Sequence, residues 1–120
     1  AHLERVANNA EPDSFTWAIR VPAGFAGGAD LKLHDNRWNV SYFVHPAHRG
    51  RGIATRALRL VCAWAFDDLG LDVVSTRVRA GNAASLRVLA KVRFRPAGEE
   101  TGDDGHVEVL HELAGSTHRA

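Results

Sequence analysis

The strongest constraint on the fold is an abrupt change of hydrophobic period across a loop rich in glycine and arginine. Apolar residues alternate from Trp38 to Val44, the period of a strand, and recur at helical spacing from Ile53 to Leu69. Between the two lies HPAHRGRG, residues 45–52. Gly70 supplies a stop signal, and the Val- and Thr-rich segment from Leu71 to Arg79 follows as a second strand. A strand, a long helix and a second strand predict a crossover unit with parallel strands.

The rest of the chain predicts strands on both sides of this unit. Further strands are predicted at Ser14 to Arg20, Phe25 to Leu33, Phe94 to Glu99 and His106 to Leu113, and a helix capped by Asn82 runs to about Val92. Short connections make the first three strands an antiparallel meander and the last two a hairpin. Residues 1–10 are expected to be the end of a helix or a loose lead-in, and the last seven residues to be frayed. The prediction for residues 1–120 is a single α/β domain of the α+β type, with a mixed, largely antiparallel sheet around a central parallel β-α-β crossover.

Composition limits the class of protein. The chain has 120 residues, 45% of them hydrophobic and 24% charged, which is typical of a soluble globular domain. A net charge of +1 gives no reason to expect a nucleic-acid or membrane partner. The single cysteine, Cys62, lies among apolar residues, which predicts a buried thiol and a cytoplasmic location. The chain contains no methionine, so we expect that it begins after processing or within a longer protein.

The glycine–arginine loop is a candidate anion site. A helix N-terminus presents unpaired N–H groups and a partial positive charge, and glycines let an anion approach them closely. Arg56 and Arg59 in the first two turns oppose the helix dipole, as do Asp67 and Asp68 at the other end. An anion bound at the N-terminus would offset the first of these costs. A solvated arginine-rich loop without a ligand is the alternative.

Two common phosphate-binding motifs do not fit this loop. A P-loop requires a lysine before its Ser or Thr, and none is present here. A dinucleotide-binding unit needs an acid at the far end of the second strand, whereas Asp72 stands at its beginning. The preceding meander does not belong in that fold either.

The pattern Arg49-x-x-Gly52-x-Ala54 between a strand and a helix resembles the acyl-CoA pyrophosphate loop of the GNAT acetyltransferases. The resemblance extends to the flanking strand and helix, to Asn82-Ala83-Ala84-Ser85, and to the following Val88-Leu89-x-Lys91 and Phe94. It covers roughly Phe15 to Phe94 and is nearest to the branch that acetylates the N-termini of ribosomal proteins. Against that pattern, the chain is expected to lack the N-terminal strand and helices that form one wall of the acceptor site in the family. It also has Arg93 where the family usually has a glycine, so the local turn is expected to differ.

The resemblance implies an acetyltransferase that moves the acetyl group of acetyl-CoA to a primary amine by direct attack in a ternary complex. The amine would be a protein N-terminus or a small molecule. The residues implied to bind the cofactor are Tyr42, Phe43, Val44, Arg49, Gly50, Arg51, Gly52, Ile53, Ala54 and Asn82. Many family members use a tyrosine as the proton donor to the leaving thiolate, and the corresponding position here is Leu89. The resemblance to the ribosomal-protein branch implies the Ser of Asn-x-x-Ser instead, which is Ser85.

Other possibilities stay open. The main alternative is a catalytically inactive acyl-CoA-binding or interaction module, and a third is an RNA contact through the arginine cluster. A partner chain could complete the acceptor wall, which makes a homodimer one option. No general base is identified among His34, Asp35, His45, Glu108 and His111, for which solvated surface positions are expected. His45 and His48 lack a third ligand, so no metal is predicted. Trp17, Trp38 and Trp64 are expected in the core, and Trp38 is also a candidate for the border of an acceptor groove.

Overall fold

The computed structural model describes residues 2–6 and 12–120 of the chain. The strands among these residues are β1 (His2–Val6), β2 (Ser14–Val21), β3 (Gly24–His34), β4 (Arg37–Val44), β5 (Val73–Arg79), β6 (Arg95–Thr101) and β7 (Val107–Ala114). The helices are α1 (Ile53–Asp67), α2 (Ala83–Val92) and α3 (Gly115–Arg119), and a 3-10 turn spans Pro46–His48. The strands form one sheet in the order β1-β2-β3-β4-β5-β7-β6, in which only the β4–β5 pair is parallel. The predicted fold class is confirmed.

The parallel pair at the centre of the sheet opens into a wedge. β4 and β5 share a single bridge, between Asn39 and Ser75, near the start of both strands. The Thr76 hydroxyl donates to the Val40 carbonyl at 2.8 Å, one residue further along each strand. Beyond this point the two strands diverge, so the backbone of β4 from Tyr42 onward has β3 as a ladder partner on one side and none from β5 on the other.

The helical period of α1 explains how it covers one face of the sheet. Residues at i, i+3, i+4 and i+7 are completely buried, and they include Leu58, Val61, Cys62 and Ala65. The predicted burial of the Cys62 thiol is confirmed. Trp17 is buried as predicted, and the Trp17 and Trp64 rings meet edge to face with centroids 5.2 Å apart. Trp38 and Trp64 are only partly buried against the core.

The N-terminal expectation of a helix end or loose lead-in is wrong for residues 2–6, and so is the expectation that no strand precedes Ser14. β1 pairs antiparallel with β2 along its whole length. Glu4 and Arg20 form an ion pair at 3.2 Å, and the Arg5 guanidinium lies 4.5 Å from the centre of the Phe15 ring. These cross-strand contacts involve residues distant in sequence, which explains why a local pattern did not reveal them. The remainder of the predicted lead-in, residues 7–10, lies outside the described residues.

The C-terminal expectation of frayed residues is also wrong. Residues 115–119 form α3, and Gly115 is buried because the helix begins directly against Phe66. The Gly115 N–H donates to the Asp72 carbonyl at 2.9 Å, and Arg119 approaches Asp67 at 3.7 Å. Tertiary contacts with the end of α1 therefore order a segment that would be too short to form a helix by itself.

Two further details correct the sequence reading. α1 ends at Asp67, two residues before the predicted Leu69, and Gly70 adopts the left-handed conformation just beyond it. Arg93 ends α2 with φ of 78°, so the turn takes the conformation that favours glycine although the residue is not glycine. The Arg93 side chain donates to the Ala120 carbonyl at 3.0 Å. In the described part of the chain, no helix has both the length and the apolar character needed to cross a bilayer.

Candidate active site

A cleft of about 560 Å³ opens where β4 ends and the glycine–arginine loop begins. One wall is the loop with the first turn of α1, the other is α2, and the wedge between β4 and β5 lies at one end. Nine of the eleven predicted site residues line it: Tyr42, Phe43, Val44, Arg49, Gly50, Gly52, Ala54, Asn82 and Ser85. The fold therefore brings together residues that lie up to 43 positions apart in the chain (85 − 42).

The two loop glycines supply a backbone conformation that other residues adopt only under strain. Gly50 and Gly52 have φ of 79° and 72°, in the left-handed region. A Cβ on either residue would have no protein atom within 4 Å. The space next to these glycines is thus open toward the cleft, and their role is to shape the loop.

The loop leaves a run of backbone donors without protein acceptors. The first hydrogen bond of α1 runs from the Arg56 N–H to the Gly52 carbonyl at 3.1 Å. In the described part of the chain, the N–H groups of residues 50–54 have no hydrogen-bond acceptor. The Gly52 cap has no side chain to satisfy them. Unpaired amides at the start of a 15-residue helix form a site that favours an anion.

The arginines of the loop take different positions. Arg49 lines the cleft, and its Nε donates to the Val44 carbonyl at 3.1 Å, which holds the guanidinium beside the end of β4. Arg51 does not line the cleft; its carbonyl accepts from Arg56 Nη2 at 3.0 Å. The Ile53 side chain is 4% exposed and packs with Ile19 and Ala57, so only its backbone amide belongs to the loop surface.

The start of α2 forms the facing wall. As predicted, Asn82 caps this helix: its Oδ1 accepts from the Ser85 N–H at 3.2 Å. Oδ1 is occupied by the cap, and the amide Nδ2 has no acceptor in the described residues. Ser85 is half-buried, one turn into the wall, and its side chain lies close to the Tyr42 hydroxyl.

Two buried polar atoms in the described residues lack hydrogen-bond partners, and both belong to side chains that line this cleft: Tyr42 OH and His48 Nδ1. Burial raises the pKa of the Tyr42 hydroxyl above its ordinary value, and the nearby Ser85 side chain opposes this only partly. The Ser85 side chain is close to the Tyr42 hydroxyl, but the two do not reach hydrogen-bond geometry, so the effect of burial on the pKa is the larger one. Unsatisfied buried polar atoms are rare in folded proteins and call for an explanation, and a role in the chemistry of the cleft is one that fits both side chains.

The cleft carries one sign of charge. Its charged side chains are Arg49, Arg87 and Lys91, its lining includes no Asp or Glu, and His48 lies there as well. Sequence reasoning assigned no role to Arg87 or Lys91 and considered His48 only as a metal ligand. The four-residue spacing of Arg87 and Lys91 was the available signal, because it places both on one helix face.

The candidates for a general base are not part of this cleft. None of His34, Asp35, His45, Glu108 and His111 lines it. The expected surface position is wrong for His111, which is 4% exposed, with its Nδ1 3.1 Å from the Val109 carbonyl. His45 Nδ1 accepts from the Ala47 N–H at 3.4 Å. Trp38 borders a separate depression of about 310 Å³ near the start of β4.

Curated proteins similar to this chain are acetyltransferases. A probable N-acetyltransferase of Bacillus subtilis, YjcK, is 42% identical over 59 residues, which cover 49% of this chain and 33% of that protein. The L-2,4-diaminobutyric acid acetyltransferase of Streptomyces avermitilis is 36% identical over 75 residues, covering 62% of this chain and 38% of the relative. The chain thus matches only 33% and 38% of the length of these two relatives.

One of the solved structures with a similar fold was determined with CoA-disulfide bound. RimJ of Mycobacterium smegmatis, in complex with CoA-disulfide, superposes with a TM-score of 0.79 at 26% identity, covering 87% of this chain and 54% of that one. The sequence profile described as the acetyltransferase (GNAT) domain matches residues 1–95. With a match over most of its length, the chain belongs to the GNAT acetyltransferase domain family.

Proposed function

We propose that this domain transfers the acetyl group of acetyl-CoA to a primary amine. The observation that carries the proposal is the run of unpaired amides over residues 50–54, set in a cleft without acidic side chains at the mouth of the β4–β5 wedge. Acetyltransferases of this family use acetyl-CoA as co-substrate, and a diphosphate meets the requirements of that loop. The similarity of the two curated relatives supports the same reaction type.

The residues present fit the co-substrate along its length. The amides of residues 50–54 and the free Nη groups of Arg49 would hold the diphosphate. The backbone of Tyr42, Phe43 and Val44, unpaired on its β5 side, would receive the amides of the pantetheine arm. The Asn82 amide Nδ2 would donate to the same arm while its Oδ1 continues to cap α2.

Acetyl-CoA supplies a thioester whose carbonyl carbon is activated toward attack by an amine. A neutral amine attacks this carbonyl, a C–N bond forms, and the C–S bond breaks. A backbone N–H at Phe43 or Val44, facing the wedge, would stabilise the negative charge that develops on the carbonyl oxygen. The leaving thiolate would take a proton from the Ser85 hydroxyl, which would regain one from solvent, and the amine would give up its own proton to solvent. Catalysis in this scheme depends mainly on positioning.

The acceptor is proposed only as a class. One relative acts, by its name, on L-2,4-diaminobutyric acid, and the sequence of this chain resembles the branch that acetylates the N-termini of ribosomal proteins. We propose a primary amine on a small molecule or a protein N-terminus. A cytoplasmic location and completion of the acceptor site by a second copy of the chain stay predictions.

The alternative function is an acyl-CoA-binding module without catalysis. The observation in its favour is that none of the five candidate bases lines the cleft. Both functions require the cofactor loop, so they differ in turnover and not in CoA binding.

Two assays in sequence test the proposal. Calorimetric titration with acetyl-CoA and with CoA should give saturable binding to the wild-type domain. A thiol-release assay with L-2,4-diaminobutyrate and with short peptides as acceptors should then show CoA release that depends on the amine. Binding without turnover on any amine would support the module, and absence of binding would refute both functions. Steep loss of RNA affinity with salt, with no response to CoA, would instead support the RNA alternative.

A further inference from the structure

A second cationic feature of the cleft is not required by the diphosphate. Arg87 and Lys91 lie four residues apart on α2, and both line the wall that faces the glycine loop. Both side chains are solvent-accessible, and neither has an acidic partner within 4 Å among the described residues. The loop already has its own donors in the amides of residues 50–54, so this pair is available to a different group.

The surroundings make the pair unfavourable unless an anion is present. Like charges at this spacing repel each other on a helix. A third cation approaches from α1, because Arg59 Nη2 donates to the Lys91 carbonyl at 3.1 Å. No acidic side chain lines the cleft to compensate. An added negative group between α2 and the first turns of α1 would remove this repulsion.

We infer that Arg87 and Lys91 form a subsite for the phosphate on the 3′-hydroxyl of the ribose of coenzyme A, so that the domain selects CoA over 3′-dephospho-CoA. The inference rests on the proposed function. With the diphosphate on the glycine loop and the pantetheine arm in the wedge, the nucleotide end lies on the other side of the diphosphate. Lys91, in the last turn of α2, lines the cleft at the opposite end of that helix from Asn82, the residue proposed to contact the pantetheine arm. A phosphate monoester is the densest anionic charge on that part of the molecule, and it suits a guanidinium and an ammonium together.

The test compares two ligands that differ only in this phosphate. Calorimetric titration at one fixed ionic strength measures the affinity of the wild-type domain for CoA and for 3′-dephospho-CoA. Contacts from two cations to one phosphate predict that CoA binds roughly tenfold to a hundredfold more tightly. The double variant R87A/K91A should reduce this ratio to about one while its affinity for 3′-dephospho-CoA stays unchanged.

A matched control separates local contacts from net charge. Lys32 and Arg95 are exposed cations on β3 and β6 that do not line the cleft, so K32A/R95A removes the same residue types and the same charge. This variant should keep the wild-type ratio. Thermal unfolding of both variants checks that they are folded.

The outcomes that overturn the inference differ from those that overturn the proposed function. Equal wild-type affinity for the two ligands refutes the subsite alone. An R87A/K91A variant that weakens both ligands by the same factor refutes it as well, because the two cations would then act on a group common to both. Failure of the wild-type domain to bind either ligand refutes the cofactor assignment together with the subsite.

Discussion

Replacement of Gly52 by alanine should separate two contributions of this residue: its backbone conformation, which affects stability, and its lack of a side chain, which leaves space for the cofactor. Gly52 has φ of 72°, and an L-residue pays about 1–2 kcal/mol in that region. Alanine also restricts the unfolded chain, which returns a fraction of that cost, so the net loss of stability should be about 1 kcal/mol. For a domain of this size, that loss lowers the midpoint of thermal unfolding by about 4 °C.

The same substitution should weaken the cofactor far more than it weakens the fold. A Cβ on Gly52 meets no protein atom within 4 Å, and the residue lines the cleft, so its methyl group would occupy volume that a bound diphosphate needs. We expect acetyl-CoA affinity to fall at least tenfold, about 1.4 kcal/mol or more, and a bulkier side chain to abolish it. Calorimetric titration measures this loss, and thermal unfolding measures the loss of stability.

Gly70 provides the control. It has φ of 73°, an added Cβ there also meets nothing within 4 Å, and it lies beyond the other end of α1, away from the cleft. Gly70→Ala should therefore cost the same stability and leave acetyl-CoA binding unchanged. Wild-type affinity in Gly52→Ala, or equal weakening in both variants, would show that the diphosphate does not lie on this loop.

Four other substitutions and measurements probe the site and the core. Ser85→Ala should lower kcat roughly tenfold to a hundredfold without changing CoA affinity, since the backbone N–H that bonds to Asn82 is kept; an unchanged kcat would remove Ser85 from the mechanism. Tyr42→Phe should leave the free energy of unfolding unchanged or raise it by up to about 1 kcal/mol, because the buried hydroxyl has no partner in the described residues; a clear loss of stability in denaturant melts would show that it has one. Arg93→Gly should stabilise the domain by about 1 kcal/mol because φ is 78° there, and a lower unfolding midpoint would mean that the bond to the Ala120 carbonyl outweighs the strain. Burial raises the pKa of the Cys62 thiol from 9.0 to about 12, so the neutral thiol stabilises the fold fully below pH 9, and this contribution is lost as pH rises toward 12. Native protein at pH 8 should not react with thiol reagents, because the thiol is buried and neutral, and rapid labelling would contradict the burial.

Local patterns were sufficient for the centre of this fold. The change of hydrophobic period at residues 45–52 predicted the crossover. Alternating apolar residues share one face only in a strand, and apolar residues three and four apart share one face only in a helix. Asn82 predicted the start of α2, since its side chain can cap a helix without help from distant residues. Gly50 and Gly52 predicted the loop because few other residues adopt its backbone conformation.

Tertiary structure alone decided what depends on contacts between distant segments. β1 is held by pairing with β2, and α3 by packing on Phe66. Neither segment has a sequence pattern that predicts its secondary structure. The place of β7 between β5 and β6 follows from pairing across the sheet. The same reason applies to the cleft: α2 carries Arg87 and Lys91 to the wall opposite the glycine loop, and β4 buries the Tyr42 hydroxyl beside Ser85. Sequence spacing determines which residues share one element, whereas the electrostatics of a site depend on distances between elements, which only the packed chain defines.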